Sequence, residues 1–305
     1  MSVDTAPRTG GTGVQPPRDG QPQGREPGLG MVGSSRGGKW WLYVILTVAL
    51  VAVIAPFIWM VLGSFKSEGE LRQVPPTWWP EAASLDNYTQ LFSRLDFGQF
   101  FFNSAVVALV ATLGQLIFCS MLGYALAMLD FPGKRLIFVA VLGTLMIPGV
   151  VTFVPLFVIV ANAGLVDTLP GLFLPYLVTP FGVFLMRQFI IGLPKDLLDA
   201  GRIDGAGELT IFARIILPLC GPALATLGIL AFLGSWNNFL WPLVVAQSED
   251  KYTLPVALAL YATGQNSTNY GLLLAGATVT ILPILVIFLI FQRKFIEGIA
   301  TTGLK

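Results

Sequence analysis

Six stretches of this 305-residue chain are long, apolar and almost free of charge: residues 40–63, 101–129, 136–162, 169–190, 219–246 and 270–291. A helix crosses the hydrocarbon core with about 20 apolar residues. The pattern therefore predicts an all-α, polytopic membrane protein of about six transmembrane helices, with residues 39–305 as one membrane domain. Prolines inside the runs, among them Pro56, Pro148, Pro155, Pro175 and Pro283, are tolerated where neighbouring helices accept or donate the freed backbone bonds.

Between the fourth and fifth runs the pattern changes. Residues 191–218 mix charge, glycine and apolar positions, ending in LDAGRIDGAGELTIFARIILP. Residues 195 to 203 fit a short helix with Leu197, Leu198 and Ile203 on its apolar face. Asp204 and Gly205 supply a stop and a bend. A second helix fits from Glu208, with Ile211, Phe212, Ile215 and Ile216 at helical spacing, until Pro218 opens the next run. Two short helices meeting at a glycine make a compact knob outside the bilayer; an amphipathic connector lying on the lipid surface is the alternative.

The first 38 residues are rich in Gly, Pro, Arg and Gln and poor in large apolar side chains. Such a segment cannot bury enough surface to order itself, so a disordered tail is expected there. A stretch within it, GSSRGGKW from Gly33, imitates the start of a phosphate-binding loop. Trp40 stands where that loop needs Ser or Thr, and no strand precedes it, so a nucleotide site is not expected.

Charge adds orientation. Only 11% of residues are charged, the net charge is +1 and there is no histidine; mean hydropathy is +0.74. Nucleic-acid binding, which needs a concentrated basic face, is excluded, and so is imidazole chemistry. Most Lys and Arg lie on one side: the tail, the Lys134–Arg135 turn, the 191–218 segment with Arg187 just before it, and the C-terminus. Lys66, Arg72, Arg94 and Lys251 lie on the other. The positive-inside rule then places both termini and the knob in the cytoplasm. The two cysteines, Cys119 and Cys220, sit in or beside apolar runs and imply no disulfide framework or thiolate metal site.

The spans hold almost no ionisable groups, which weakens an ion-coupled carrier, and no catalytic constellation, which weakens an enzyme. Polar and aromatic residues able to line a path for a polar solute are Asn103, Ser104, Tyr124, Ser235, Trp236, Asn237 and Asn238. The alternatives are an interfacial aromatic belt and cross-links between helices.

The 199–218 segment resembles the cytoplasmic loop of permease subunits of bacterial ABC importers, in which an E-A-A triplet is followed after three residues by Gly and after nine more by I-x-L-P. Here Asp199, Ala200, Gly201, Gly205, Ile215, Leu217 and Pro218 hold those places, with Asp199 for Glu and Gly201 for Ala. The D-G-A of the sugar-importing branch is similar to Asp204, Gly205 and Ala206. SFKSEGE, PPTWWP, LDNYTQLF, GYALAMLDFPGKR, FLGSWNNFLWPL and FQRKFIEGIATTGLK resemble further parts of carbohydrate permeases of the maltose-importer type. The resemblance implies a type I ABC importer permease fold in a bacterial cell membrane, a coupling loop at 191–218 and a cytoplasmic tail at 292–305. It also implies a second permease, two cytoplasmic ATPase subunits that bind the ATP, an extracytoplasmic solute-binding protein and a carbohydrate solute. No cofactor is implied in this chain. Leu197, Leu198 and Ile203 would fill the ATPase cleft and Asp199, Arg202 and Asp204 would dock by polar contacts, within a coupling set completed by Ala200, Gly201, Gly205, Ala206, Leu217 and Pro218. A stand-alone secondary carrier or channel for a small polar solute is the alternative reading.

Overall fold

The structure, a computed structural model, describes residues 40–262 and 268–302. The expected disordered tail at 1–38 lies outside the described residues, as do positions 303–305 of the C-terminal tail. The chain divides into two units, 1–52 and 53–305. In the first, every described residue is exposed; it forms the start of α1 (Trp40–Gly63). A helix apolar on all faces is suited to lipid or to burial against other helices.

In the second unit, α2 (Glu68–Leu71) and α3 (Asp86–Arg94) belong to the segment after α1. There Lys66 and Glu70 are both buried, 3.5 Å apart. The Glu70 carboxylate also accepts from Thr77 and the Glu81 N–H, the compensation a buried pair requires. Next comes α4 (Phe97–Met128), a 32-residue helix with a π turn at Gln115–Cys119.

The third apolar run is not one straight crossing. Helices α5 (Lys134–Leu145) and α6 (Gly149–Asn162) meet at 108°. Pro148 is the cause: it has no N–H to donate, its ring disfavours helical geometry at Ile147, and its own ψ is 131°. The fourth run becomes α7 (Leu169–Phe173), a 3-10 turn at Leu174–Tyr176 and α8 (Pro180–Ile190). In the knob segment, α9 (Asp196–Ile203) is followed by α10 (Glu208–Leu219), which contains a second π turn.

The fifth run is not one straight helix either. It opens with an 83° bend between α10 and α11 (Gly221–Trp236) at Cys220, where Pro222 again removes a donor. The helix stops at Trp236, and the N–H groups of Asn237 and Asn238 fold back onto the Leu233 and Ser235 carbonyls. A short α12 (Leu240–Val245) follows, then α13 (Leu254–Ala262) and α14 (Tyr270–Thr302). Among the described residues, four helices are long and apolar enough to cross a membrane, or up to six spans when each bent pair counts as one.

Three buried clusters hold the second unit together. One joins α4, α8, α9 and α10 through Tyr124, Met186, Ile190, Leu198, Ile211 and Ile216. A second packs Phe100, Trp236, Leu254 and Leu272. The third centres on Trp241, whose Nε1 donates to the Gly171 carbonyl at 3.1 Å, with Leu172 and Val245. Near it the Asp167 carboxylate accepts from both N–H groups of Gln247 and Ser248 and from the Ser248 hydroxyl, locking two loops together.

Candidate functional site

The two knob helices form where the periodicity puts them, and a Schellman turn joins them. The Gly205 N–H donates to the Arg202 carbonyl and the Ala206 N–H to the Gly201 carbonyl, at 3.0 and 2.9 Å. Gly205 has φ +77°, the left-handed geometry that side chains oppose and glycine accepts.

Which face of α9 looks inward differs from the expectation. Leu198 is 3% exposed and packs with Ile211 and Ile216 in this chain's own core, so it is not available to fill a partner's cleft. Gly201, one turn on, faces the same way. A Cβ there would sit 3.1 Å from both Ile211 Cγ1 and Ile215 Cδ1, so the glycine that departs from the family triplet sets the close approach of α9 to α10. The outward surface is made by Asp199, Ala200, Arg202, Ile203, Asp204 and Gly205, with Leu197, Ala206 and Leu217 half-buried and Pro218 exposed. Ile203 is 85% exposed and Leu209 on α10 is 69% exposed. The sequence does not mark Leu209 as outward, because a lone leucine in a mixed segment fits an inward position equally well.

A polar clamp ties the knob to the spans. Arg202 Nε and Nη2 donate to Glu208 Oε1 at 2.9 and 2.7 Å, and Tyr124 donates its hydroxyl to Glu208 Oε2 at 2.7 Å. Asp199 lies 3.8 Å from Arg202. Tyr124, a candidate for the solute path, thus belongs to the knob; its ring also packs 5.3 Å from Phe212. Hydrogen bonds from Tyr124 and then Arg202 hold the Glu208 carboxyl below the usual carboxylate range. Its folded pKa is depressed, so the clamp's contribution is present above the unfolded value of about 4.3 and is lost as pH falls through the folded one. Melting the purified assembly from pH 7 down to about 2.5 should show wild type and Glu208→Gln separated by a full gap down to about pH 4.3 and converging only below it, as the depressed folded value is crossed. A gap that stays constant would deny the clamp its role.

The remaining path candidates separate into three groups. Asn103 and Ser104 are buried and committed to backbone. Asn103 Nδ2 donates to the Asp250 and Tyr252 carbonyls, both at 2.9 Å, and Ser104 Oγ accepts from the Leu254 N–H at 2.7 Å. Trp236 is 2% exposed, stacks on Phe232 and donates to the Thr280 carbonyl at 3.1 Å, linking α11 to α14. These three are structural cross-links in this chain.

Ser235 and Asn238 instead line a cavity of about 300 Å³ together with Gln115, Tyr176 and Thr179. Asn237 is exposed and its Nδ2 donates to the Leu233 carbonyl at 3.0 Å. Gln115 and Thr179, whose side chains bond at 3.1 Å, are not among the residues the sequence pattern points to. An amide inside an apolar run was the available signal for Gln115. Amides, hydroxyls and the aromatic rings of Tyr176 and Phe181, both lining this cavity, can hold a polar, uncharged solute.

Residues 119–299 match the family described as "Binding-protein-dependent transport system inner membrane component". The chain is 43% identical over 270 residues to the arabinooligosaccharides transport system permease protein AraQ of Halalkalibacterium halodurans, covering 87% of this chain and 96% of that one. It is 36% identical over 264 residues to the diacetylchitobiose uptake system permease protein NgcG of Streptomyces coelicolor, covering 86% and 87%. It is 33% identical over 277 residues to the trehalose transport system permease protein SugB of Mycobacterium tuberculosis, covering 90% and 100%. The fold matches, with a TM-score of 0.77 at 22% identity, a chain of a bacterial ABC transporter involved in the import of the acidic polysaccharide alginate, over 86% of this chain and 98% of that one. With a family match over more than half its length and relatives this similar across most of it, the chain belongs to the inner membrane components of binding-protein-dependent transport systems: it is a multi-pass permease subunit and not an enzyme.

Proposed function

We propose that this permease forms half of the pore of an ATP-driven importer for short oligosaccharides, and that α9 and α10 receive the motion of a cytoplasmic ATPase. A second, related permease completes the pore, two ATPase subunits bind the nucleotide, and an extracytoplasmic binding protein delivers the solute. The observation that carries this reading is the knob itself. Its inner face is packed into the spans while Ile203 and Leu209 stay exposed beside Asp199, Arg202 and Asp204. A rigid element anchored on one side and uncovered on the other can pass on a rigid-body movement.

Orientation is proposed with both termini cytoplasmic, because Lys134, Arg135, Arg187 and the knob belong to one end of the second unit. Ser235 and Asn238, with Gln115, Tyr176 and Thr179, are the proposed solute contacts of this half. The solutes named for the three relatives above, arabinooligosaccharides, diacetylchitobiose and trehalose, support a carbohydrate of two or more units.

The decisive measurement is uptake of labelled oligosaccharides into proteoliposomes carrying the co-purified complex. Uptake is expected only with both ATP and the binding protein present. Transport by this chain alone, without nucleotide, would establish the stand-alone carrier instead.

A further inference from the structure

A groove of about 730 Å³ lies where α4 ends and α5 begins and shares no lining residue with the cavity at Asn238. It is lined by Phe131, Lys134, Arg135, Leu136, Phe138 and Arg187, among others. Three cations share it, and their surroundings leave most of that charge unmatched. The Arg187 guanidinium lies 3.7 Å above the Phe138 ring, with Nε donating to the Leu126 carbonyl at 3.2 Å. Among the described residues, neither Arg187 nor Arg135 has a carboxylate partner. Lys134 donates to the carbonyls that end α4, and its one acidic neighbour, Asp130 at 3.4 Å, is 94% exposed. Exposed pairs of that kind are strongly screened.

The walls beside these cations are apolar and open outward: Leu136 is 74% and Val139 is 53% exposed on α5. An arginine held by an aromatic face and one carbonyl keeps its terminal N–H groups for a further acceptor, and guanidinium matches phosphate oxygens in pairs. Cations at a bilayer boundary with uncovered apolar surface immediately beside them suit a ligand that is anionic at one end and oily at the other.

We infer that Lys134, Arg135 and Arg187 form a binding site for the headgroup of an anionic phospholipid, whose acyl chains run along Leu136 and Val139. The inference rests on the reading that the Lys134 turn faces the cytoplasm, where anionic lipid gives the membrane surface its negative potential. The lipid would hold the α4–α5 turn against α8, next to the cluster that anchors the knob.

The test uses the assembled importer in neutral detergent, with native mass spectrometry counting retained lipid as phosphatidylglycerol or phosphatidylcholine is added. Phosphatidylglycerol should be retained and phosphatidylcholine should not. Arg135→Gln, which breaks no contact described above, should weaken retention about five-fold, and Arg135→Gln with Lys134→Gln by the product of two such factors. Arg187→Gln should act in the same direction; if that variant does not assemble, Arg135→Gln decides. Inorganic phosphate at millimolar concentration should not displace the lipid, whereas displacement would mean a free-anion site and overturn the lipid assignment. Equal retention of both lipids, or unchanged retention by Arg135→Gln, would also overturn it. Binding is read with no solute present, so an error in the assigned sugar leaves this result untouched, and an error in the importer reading would appear separately as uptake without ATP.

Discussion

Exchanging Gly205 for valine should leave the permease inserted and assembled but cut ATP-coupled uptake about tenfold or more, since a left-handed residue with a side chain costs roughly 1–2 kcal/mol. Nothing lies within 4 Å of a Cβ placed on Gly205, so no clash drives the effect. The strain is in the backbone: relieving it means moving φ from +77°, and that turn carries the two hydrogen bonds that set α9 against α10. The outward face would then be presented at another angle. Asparagine tolerates this conformation better than valine, so Gly205→Asn should recover much of the rate while Gly205→Val does not. The measurement is solute imported per ATP hydrolysed in proteoliposomes. Normal coupling in the valine variant would remove the knob from the mechanism.

A pair of isoleucines should divide stability from docking. Ile211 is fully buried between α9, α10 and the spans. Ile211→Ala should cost about 2–5 kcal/mol and lower the yield and melting temperature of the whole assembly. Ile203 is 85% exposed. Ile203→Asp should change stability by no more than about 0.5 kcal/mol, yet it should lose the ATPase subunits on purification, because a charge is placed on an apolar contact. If Ile203→Asp keeps its ATPase subunits, that face does not dock them.

Much of this architecture could be read from residue order. Long apolar runs declare membrane helices because the hydrocarbon thickness sets their length. The knob was legible because a soluble-type periodicity and a glycine stop interrupt those runs, and because the spacing from Asp199 through Gly205 to Pro218 is a local property. Four features were not legible. Pro56, Pro155 and Pro283 lie inside continuous helices while Pro148 breaks one, and proline alone does not say which. Leu198 turns inward while Leu209 turns outward. Asn103 binds backbone at Asp250 and Tyr252, and Glu208 gathers both Arg202 and Tyr124. In the spans the reason is that lipid is as apolar as a protein core, so composition no longer records which side of a helix is covered; in the knob, apolar residues serve both the inner face and the uncovered one, so Leu198 and Leu209 read alike. Hydrogen-bond partners far apart in sequence, likewise, are chosen by how the helices pack and not by the segments that contain them.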